Sequence, residues 1–201
     1  MAKNRHICGR SVVFVPYREC HVVKYHQWMK EPALQYLTGS EPLTLAEEFS
    51  MMSSWTSDVN KCTFIILDKE LYQSSSASSD DEKQVESMIG DINIYIDTNE
   101  STVLSAELEI MVAEECHRGC GKGKEAVRLM MRFANEVIGV QKFVVKIKYS
   151  NEGSHAMFTR FGFREVSRSD VFEEITYELV ADQQWVDGIR SDTNYIQYVL
   201  L

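Results

Sequence analysis

Between an alternating strand pattern at Ala106 to Ala113 and a helical pattern at Lys124 to Val137 lies the run Arg118-Gly119-Cys120-Gly121-Lys122-Gly123-Lys124. A strand that passes through closely spaced glycines into a helix start presents main-chain N–H groups without internal partners. The helix dipole favours an anion in front of them. Glycines at 119, 121 and 123 let the backbone approach a ligand closely and adopt positive φ where a turn needs it. The segment thus commits the middle of the chain to a strand, a phosphate-binding turn and a helix.

Spacing narrows the phosphate ligand. A P-loop needs two glycines four residues apart followed by Lys-Ser or Lys-Thr, whereas Gly123 is followed by Lys124 and Glu125. A dinucleotide fingerprint begun at Gly119 or Gly121 meets Lys124 or Ala126 at its third glycine position. Alanine is tolerated there, so the second register is formally allowed. Arg118 before the loop and its late place in the chain argue against the first turn of a dinucleotide-binding domain.

At 201 residues and 44% hydrophobic content, one domain with a layered core is expected over 1–201, its body at 9–180 and a tail at 181–201. The net charge of -9 disfavours nucleic acid, which requires a basic footprint. No apolar run approaches 18 residues and the polar start Met1 to Arg10 leads into no apolar stretch, so no membrane partner and no signal peptide are expected, and the expected location is cytoplasmic. Five cysteines without a C-x-x-C pair suit neither disulfides nor zinc. Cys116, His117 and Cys120 lie close together, but a loop wrapping phosphate cannot also fold three ligands around a metal. Reduced thiols and no metal are expected.

The periodicities predict a strand at Arg10 to Pro16, a helix at His21 to Met29 that Pro32 ends, and a helix at about 45–58 opened by a Thr44/Glu47 capping box. Strands follow at Cys62 to Leu67 and Met88 to Tyr95. The serine-rich and acidic stretch 73–86 between them has too little apolar surface to order and reads as a mobile loop, in which Ser78 and Ser79 before Asp80 to Glu82 allow either a solvated linker or a phosphorylation site. Next come a strand at Val103 to Val112, the loop and its helix closed by Gly139, a strand at Lys142 to Lys148, a short helix at Ser154 to Arg160, and a hairpin at Phe163 to Val166 and Val171 to Leu179. The order describes an α+β fold with a mixed sheet of about seven strands and helices on both faces.

Arg118-x-x-Gly121-x-Gly123 resembles the acyl-CoA pyrophosphate loop of the GNAT N-acetyltransferase superfamily. Asn151-Glu152-Gly153-Ser154, Met157-Phe158 and Gly162-Phe163 resemble the segment that follows it there, in the same order and separation. Val15-Pro16-Tyr17, His26 to Lys30, Leu37 to Leu45 and Lys61 to Ile65 are similar to the N-terminal half of one eukaryotic branch, the N-acetyltransferase 9 proteins, and the likeness spans about residues 9 to 186. The resemblance implies a GNAT-like acyl-CoA N-acyltransferase fold and acetyl-CoA as co-substrate. It implies transfer of an acetyl group to a protein α-amine or lysine, with tubulin as the protein. It also implies that the strands Glu107 to Ala113 and Lys142 to Lys148 splay to admit the pantetheine arm.

Acetyl transfer to an amine requires a bound donor, a neutral amine, a place for the developing oxyanion and a proton for the thiolate. Backbone N–H groups from Gly119 through Cys120, Gly121, Lys122 and Gly123 to Lys124 suit a diphosphate. Arg118 and Lys124 add charge that either contacts it or reaches solvent. The resemblance assigns Met111, Val112 and Ala113 main-chain bonds to the pantetheine and the thioester carbonyl. Glu107 and Glu109 project to one face of their strand; Glu109 lies nearer the thioester and is the expected base, with a salt bridge or a wet strand end as the alternative for either. Asp91 and Asn93 on the neighbouring strand can line the acceptor side or make hydrogen bonds only. Asn151 can cap a helix or bond the CoA arm. Phe158 occupies the position where many superfamily members place a proton-donating tyrosine; Tyr149 is the nearest substitute. A rival reading follows from Phe158: a domain that keeps the CoA loop, turns over weakly, and works by binding a cytoskeletal partner. A polyamine acetyltransferase and a dehydrogenase are further alternatives.

Overall fold

The computed structural model describes residues 4–98 and 103–200. Among these, nine strands form one sheet in the order β7-β8-β6-β5-β4-β3-β2-β1-β9. The strands are β1 (Arg5–Cys8), β2 (Val12–Pro16), β3 (Lys61–Asp68), β4 (Met88–Asp97), β5 (Ser105–Val112), β6 (Lys142–Lys148), β7 (Arg164–Ser169), β8 (Glu174–Val180) and β9 (Gln197–Leu200). All neighbours pair antiparallel except β5 and β6. The fold is α+β with a mixed sheet, as expected, carrying β1 and β9 beyond the seven strands expected.

Alternation along the central strands assigns the two faces. Cys62, Phe64 and Ile66 of β3, Ile92 and Ile94 of β4, and Ala106 and Leu108 of β5 pack under α6 (Lys122–Phe133), whose Ala126, Val127, Met130 and Phe133 are fully buried. Val13 and Val15 of β2, Ile65 of β3 and Met111 of β5 face the other way, against Val22, Tyr25 and Trp28 of α1 (Glu19–Trp28) and Phe49, Met52 and Trp55 of α3 (Leu45–Ser57). The Thr44/Glu47 capping box is present, with the Glu47 carboxylate accepting from the Thr44 N–H at 2.8 Å.

Pro32 does not merely follow a helix. It occupies the first turn of α2 (Pro32–Thr38), where its missing N–H is harmless, and Gly39 closes that helix at φ 63. The stretch 73–86 is not a mobile loop either. α4 (Lys69–Ser74) is followed by α5 (Asp80–Ser87), which is held by polar contacts instead of an apolar stripe. Ser79 and Glu82 make a capping box, and the acids Asp80, Asp81 and Glu82 stand at the positive end of the helix dipole. Arg18 bonds Asp81 at 2.7 Å, and buried His21 bonds Gln84 at 3.0 Å. The segment after 181 forms α8 (Gln183–Asp192) and β9, which pairs with β1 through four residues and covers that strand's outer edge; Leu201 lies outside the described residues. Trp185 packs on Phe143 with ring centroids 5.6 Å apart.

Candidate active site

The sheet opens at its one parallel pair. β5 and β6 are in register at Ser105/Lys142, Ala106/Phe143 and Glu107/Val144, and the ladder ends there although both strands run on. Main-chain groups of residues 108–112 on that side therefore border a gap. On the other edge β5 follows β4 so closely that a Cβ on Gly90 would lie 1.9 Å from the Met111 carbonyl oxygen. The Ala113 N–H donates to the Ile89 carbonyl at 2.8 Å. That bond turns the Ala113 N–H toward β4, where the resemblance implied a bond to the pantetheine. Met111 and Val112 border the cleft; Ala113 is buried beside it.

A cleft of about 490 Å³ runs from this gap to the glycine loop. Gly119 and Gly121 have φ of 70 and 92, Gly121 is the N-cap of α6, and nothing lies within 4 Å of where a Cβ would stand on either. Positive φ and open space together form a main-chain cradle at a helix start, which fits a diphosphate. Gly123 sits tightly on β5, its would-be Cβ 3.3 Å from Val112.

The charged side chains of the loop divide. Lys124 lines the cleft. Arg118 borders it, but its guanidinium is spent on the loop itself: Nε donates to the Val112 carbonyl and Nη2 to the Ala113 carbonyl, each at 2.7 Å. Lys122 points away to buried Asp68 and to His117, and Cys120 is exposed with its Sγ 3.0 Å from the His117 carbonyl oxygen, so the side chains at 120 and 122 do not line the cleft.

Beyond the gap a second chamber of about 320 Å³ is lined by Asp91, Asn93, Tyr95, Glu107, Glu109, Lys146, Tyr25 and Trp55, among others. Glu107 is held by Lys146 at 2.7 Å across the gap, the salt-bridge alternative for this residue. Glu109 is exposed at the chamber, with the walls of the chamber around its stem. Partial desolvation pushes its pKa up to about 7, opposed by Lys61 and reinforced by Glu107 and Asp91. Asp91 is buried and raised to about 6 for the same reason, with the Asn93 amide opposing at 2.7 Å. Asn93 also accepts from Thr63 at 2.6 Å.

Asn151 performs the capping role, its Oδ1 accepting from the Ser154 N–H at 3.2 Å at the start of α7 (Glu152–Arg160), and it lines both chambers. Phe158 is buried against Phe163 and reaches the inner chamber as a hydrocarbon wall. Tyr149 does not substitute for a tyrosine there; it bonds Asp170 at 2.8 Å and lines neither chamber. Sequence reading missed the wall opposite α7, formed by Leu34, Leu37 and Thr38 of α2, and it missed Arg160 and Lys61. The signal for α2 was present as a proline and a glycine bracketing a helix-length segment.

A mixed α+β sheet split at its parallel pair, with a diphosphate cradle at one end of the split and acids at the other, is the architecture of an acyl-CoA-dependent transferase. The family model described as the acetyltransferase (GNAT) domain matches residues 11–164, and the chain belongs to that family. The chain is 39% identical to the Homo sapiens alpha/beta-tubulin-N-acetyltransferase 9 over 97% of its length and 92% of that protein's. It is 40% identical to the Drosophila melanogaster protein of the same name, over 93% and 92%. Among solved structures, Mycobacterium smegmatis RimJ in complex with CoA-disulfide shares the fold, with a TM-score of 0.68, 13% identity, and 96% of this chain and 94% of that one covered. The protein is an N-acetyltransferase.

Proposed function

We propose that the chain transfers an acetyl group from acetyl-CoA to an amine of a protein, tubulin in the first instance, and that it does so in the cytoplasm. The single observation that carries this reading is the end of the β5/β6 ladder at Glu107/Val144, which opens a gap continuous with the cleft that reaches the glycine loop. Relatives bearing the name alpha/beta-tubulin-N-acetyltransferase 9 over nearly the whole chain support the protein acceptor.

Bound acetyl-CoA supplies the activated acyl group. N–H groups of residues 119–124 hold the diphosphate, and Lys124 adds positive charge beside it. Main-chain groups of residues 108–112 that border the gap align the pantetheine arm and polarise the carbonyl. Glu109 takes the proton of the acceptor ammonium, directly or through one water, and its pKa of about 7 suits it to exchange protons at neutral pH. The neutral amine then attacks the thioester carbonyl, the C–N bond forms and the C–S bond breaks, and because Phe158 donates no proton the second proton of the nitrogen passes through solvent to the departing thiolate.

A second reading, weak turnover with binding to a cytoskeletal partner as the main role, is favoured by that same Phe158. Calorimetry with acetyl-CoA followed by mass spectrometry of tubulin and of its amino-terminal peptides separates the two. Binding with a gain of one acetyl group supports transfer, binding without it supports the second reading, and no binding removes both.

A further inference from the structure

Lys61, the first residue of β3, is only 1% exposed. Cross-strand pairing places Lys61, Tyr95 and Glu107 in one row, Thr63, Asn93 and Glu109 in the next, and Ile65, Asp91 and Met111 in a third. Alternate residues of a strand share a face, so all nine side chains stand on the side of the sheet that carries the inner chamber. The Lys61 ammonium donates to the Tyr95 hydroxyl and lies against two aromatic faces, Trp55 and Tyr95, the latter with its centroid 4.2 Å away. Trp55 and Tyr95 both line the chamber. An ammonium taken out of water is strongly unfavourable unless acceptors and π faces hold it, so this cage holds the ammonium at a defined point behind the chamber wall that Trp55 and Tyr95 form.

We propose that Lys61 is a positioning residue whose caged ammonium, held behind the Trp55 and Tyr95 rings, keeps the Glu109 carboxylate ionised in an otherwise acidic chamber. The inference rests on Glu109 being the base. The groups facing Glu109 are Glu107 on its own strand, Asp91 and Tyr95 on β4, Lys61 on β3, Lys146 on β6 and Tyr25 on α1. Asp91 and Glu107 oppose ionisation. Lys146 favours it but is already paired with Glu107, which leaves Lys61 the stronger of the two positive influences. Without it the carboxyl keeps its proton at neutral pH, and the acceptor ammonium loses its base.

The test is the titration midpoint of the Glu109 carboxyl, followed by NMR of the full chain labelled at glutamate δ-carbons and assigned with Glu109→Gln, beside the acidic limb of kcat/KM. Lys61→Met raises the midpoint by about 1 unit and moves the acidic limb by the same amount, while Lys61→Arg leaves both near their wild-type positions. Lys61→Gln replaces Lys61→Met if the latter does not fold. An unchanged midpoint in a neutral variant that melts as wild type overturns the inference. An acidic limb that persists in Glu109→Gln overturns the base assignment instead, and the carboxyl midpoint still decides the effect of Lys61.

Discussion

Glu109 and His21 illustrate how a single side chain takes its chemistry from its surroundings. With the Glu109 pKa near 7 and the carboxylate as the active form, kcat/KM rises as pH increases through 7 and levels off above it. Glu109→Gln lowers kcat/KM by about 10²-fold and abolishes that limb, which steady-state rates from pH 5.5 to 9 measure. His21 is fully buried; its Nδ1 accepts from the Arg18 N–H at 3.1 Å, so Nε2 carries the proton given to Gln84. Burial lowers its pKa to about 4. A folded pKa below the unfolded value means that the native state binds fewer protons, so this contribution is complete above about pH 6.5 and is lost as pH falls toward 4, on the order of 3 kcal/mol. Urea midpoints recorded across that window fall in the wild type and fall less in His21→Gln. The acids at 107 and 109 were legible in the chain because strand alternation puts them on one face. Lys61 was not, because a lysine at a strand start has no periodic signature and its cage is built from residues 34 and 6 positions away.

Backbone conformation carries the argument at the level of elements. Gly121 starts α6 at φ 92 with open space around it, so Gly121→Ala meets no clash and is strained only by its torsion, by about 1 kcal/mol. Because that torsion aims the cradle, the KM for acetyl-CoA rises while kcat changes little. Gly90→Ala is different. Its methyl group would enter the Met111 carbonyl, the β4/β5 pairing must separate, and thermal unfolding reports a loss of about 3 kcal/mol or more. Seven of the strands, the Thr44 cap and the glycine loop were readable because each depends on local spacing. α5 was not: its Ser79/Glu82 capping box is a local signal, but without an apolar stripe the helix also depends on Arg18 and His21, more than 60 residues earlier, which no windowed pattern holds. α2 hid behind its proline, which starts a helix as readily as it stops one.

Taken together, the described residues build one nine-stranded sheet whose last strand lies beside its first. Neither β1 nor β9 exceeds four residues, and both carry mostly polar or partly exposed positions; β9 pairs with β1 alone, whereas β1 is also paired with β2. Ending the chain after Ala181 uncovers the β1 edge and removes Trp185 and Ile189 from the core; the shortened protein loses cooperative unfolding by calorimetry. The central split, by contrast, was implied by the resemblance alone, because no residue pattern announces where a parallel ladder stops. It is also where the account is most exposed. A crystal structure with bound acetyl-CoA tests it directly: the diphosphate is expected within hydrogen-bonding distance of the amides of residues 119–124, and the thioester between residues 108–112 and 144–148, facing Glu109. A diphosphate bound elsewhere, or a β5/β6 gap filled by side chains while acetyl-CoA occupies another surface, would contradict it.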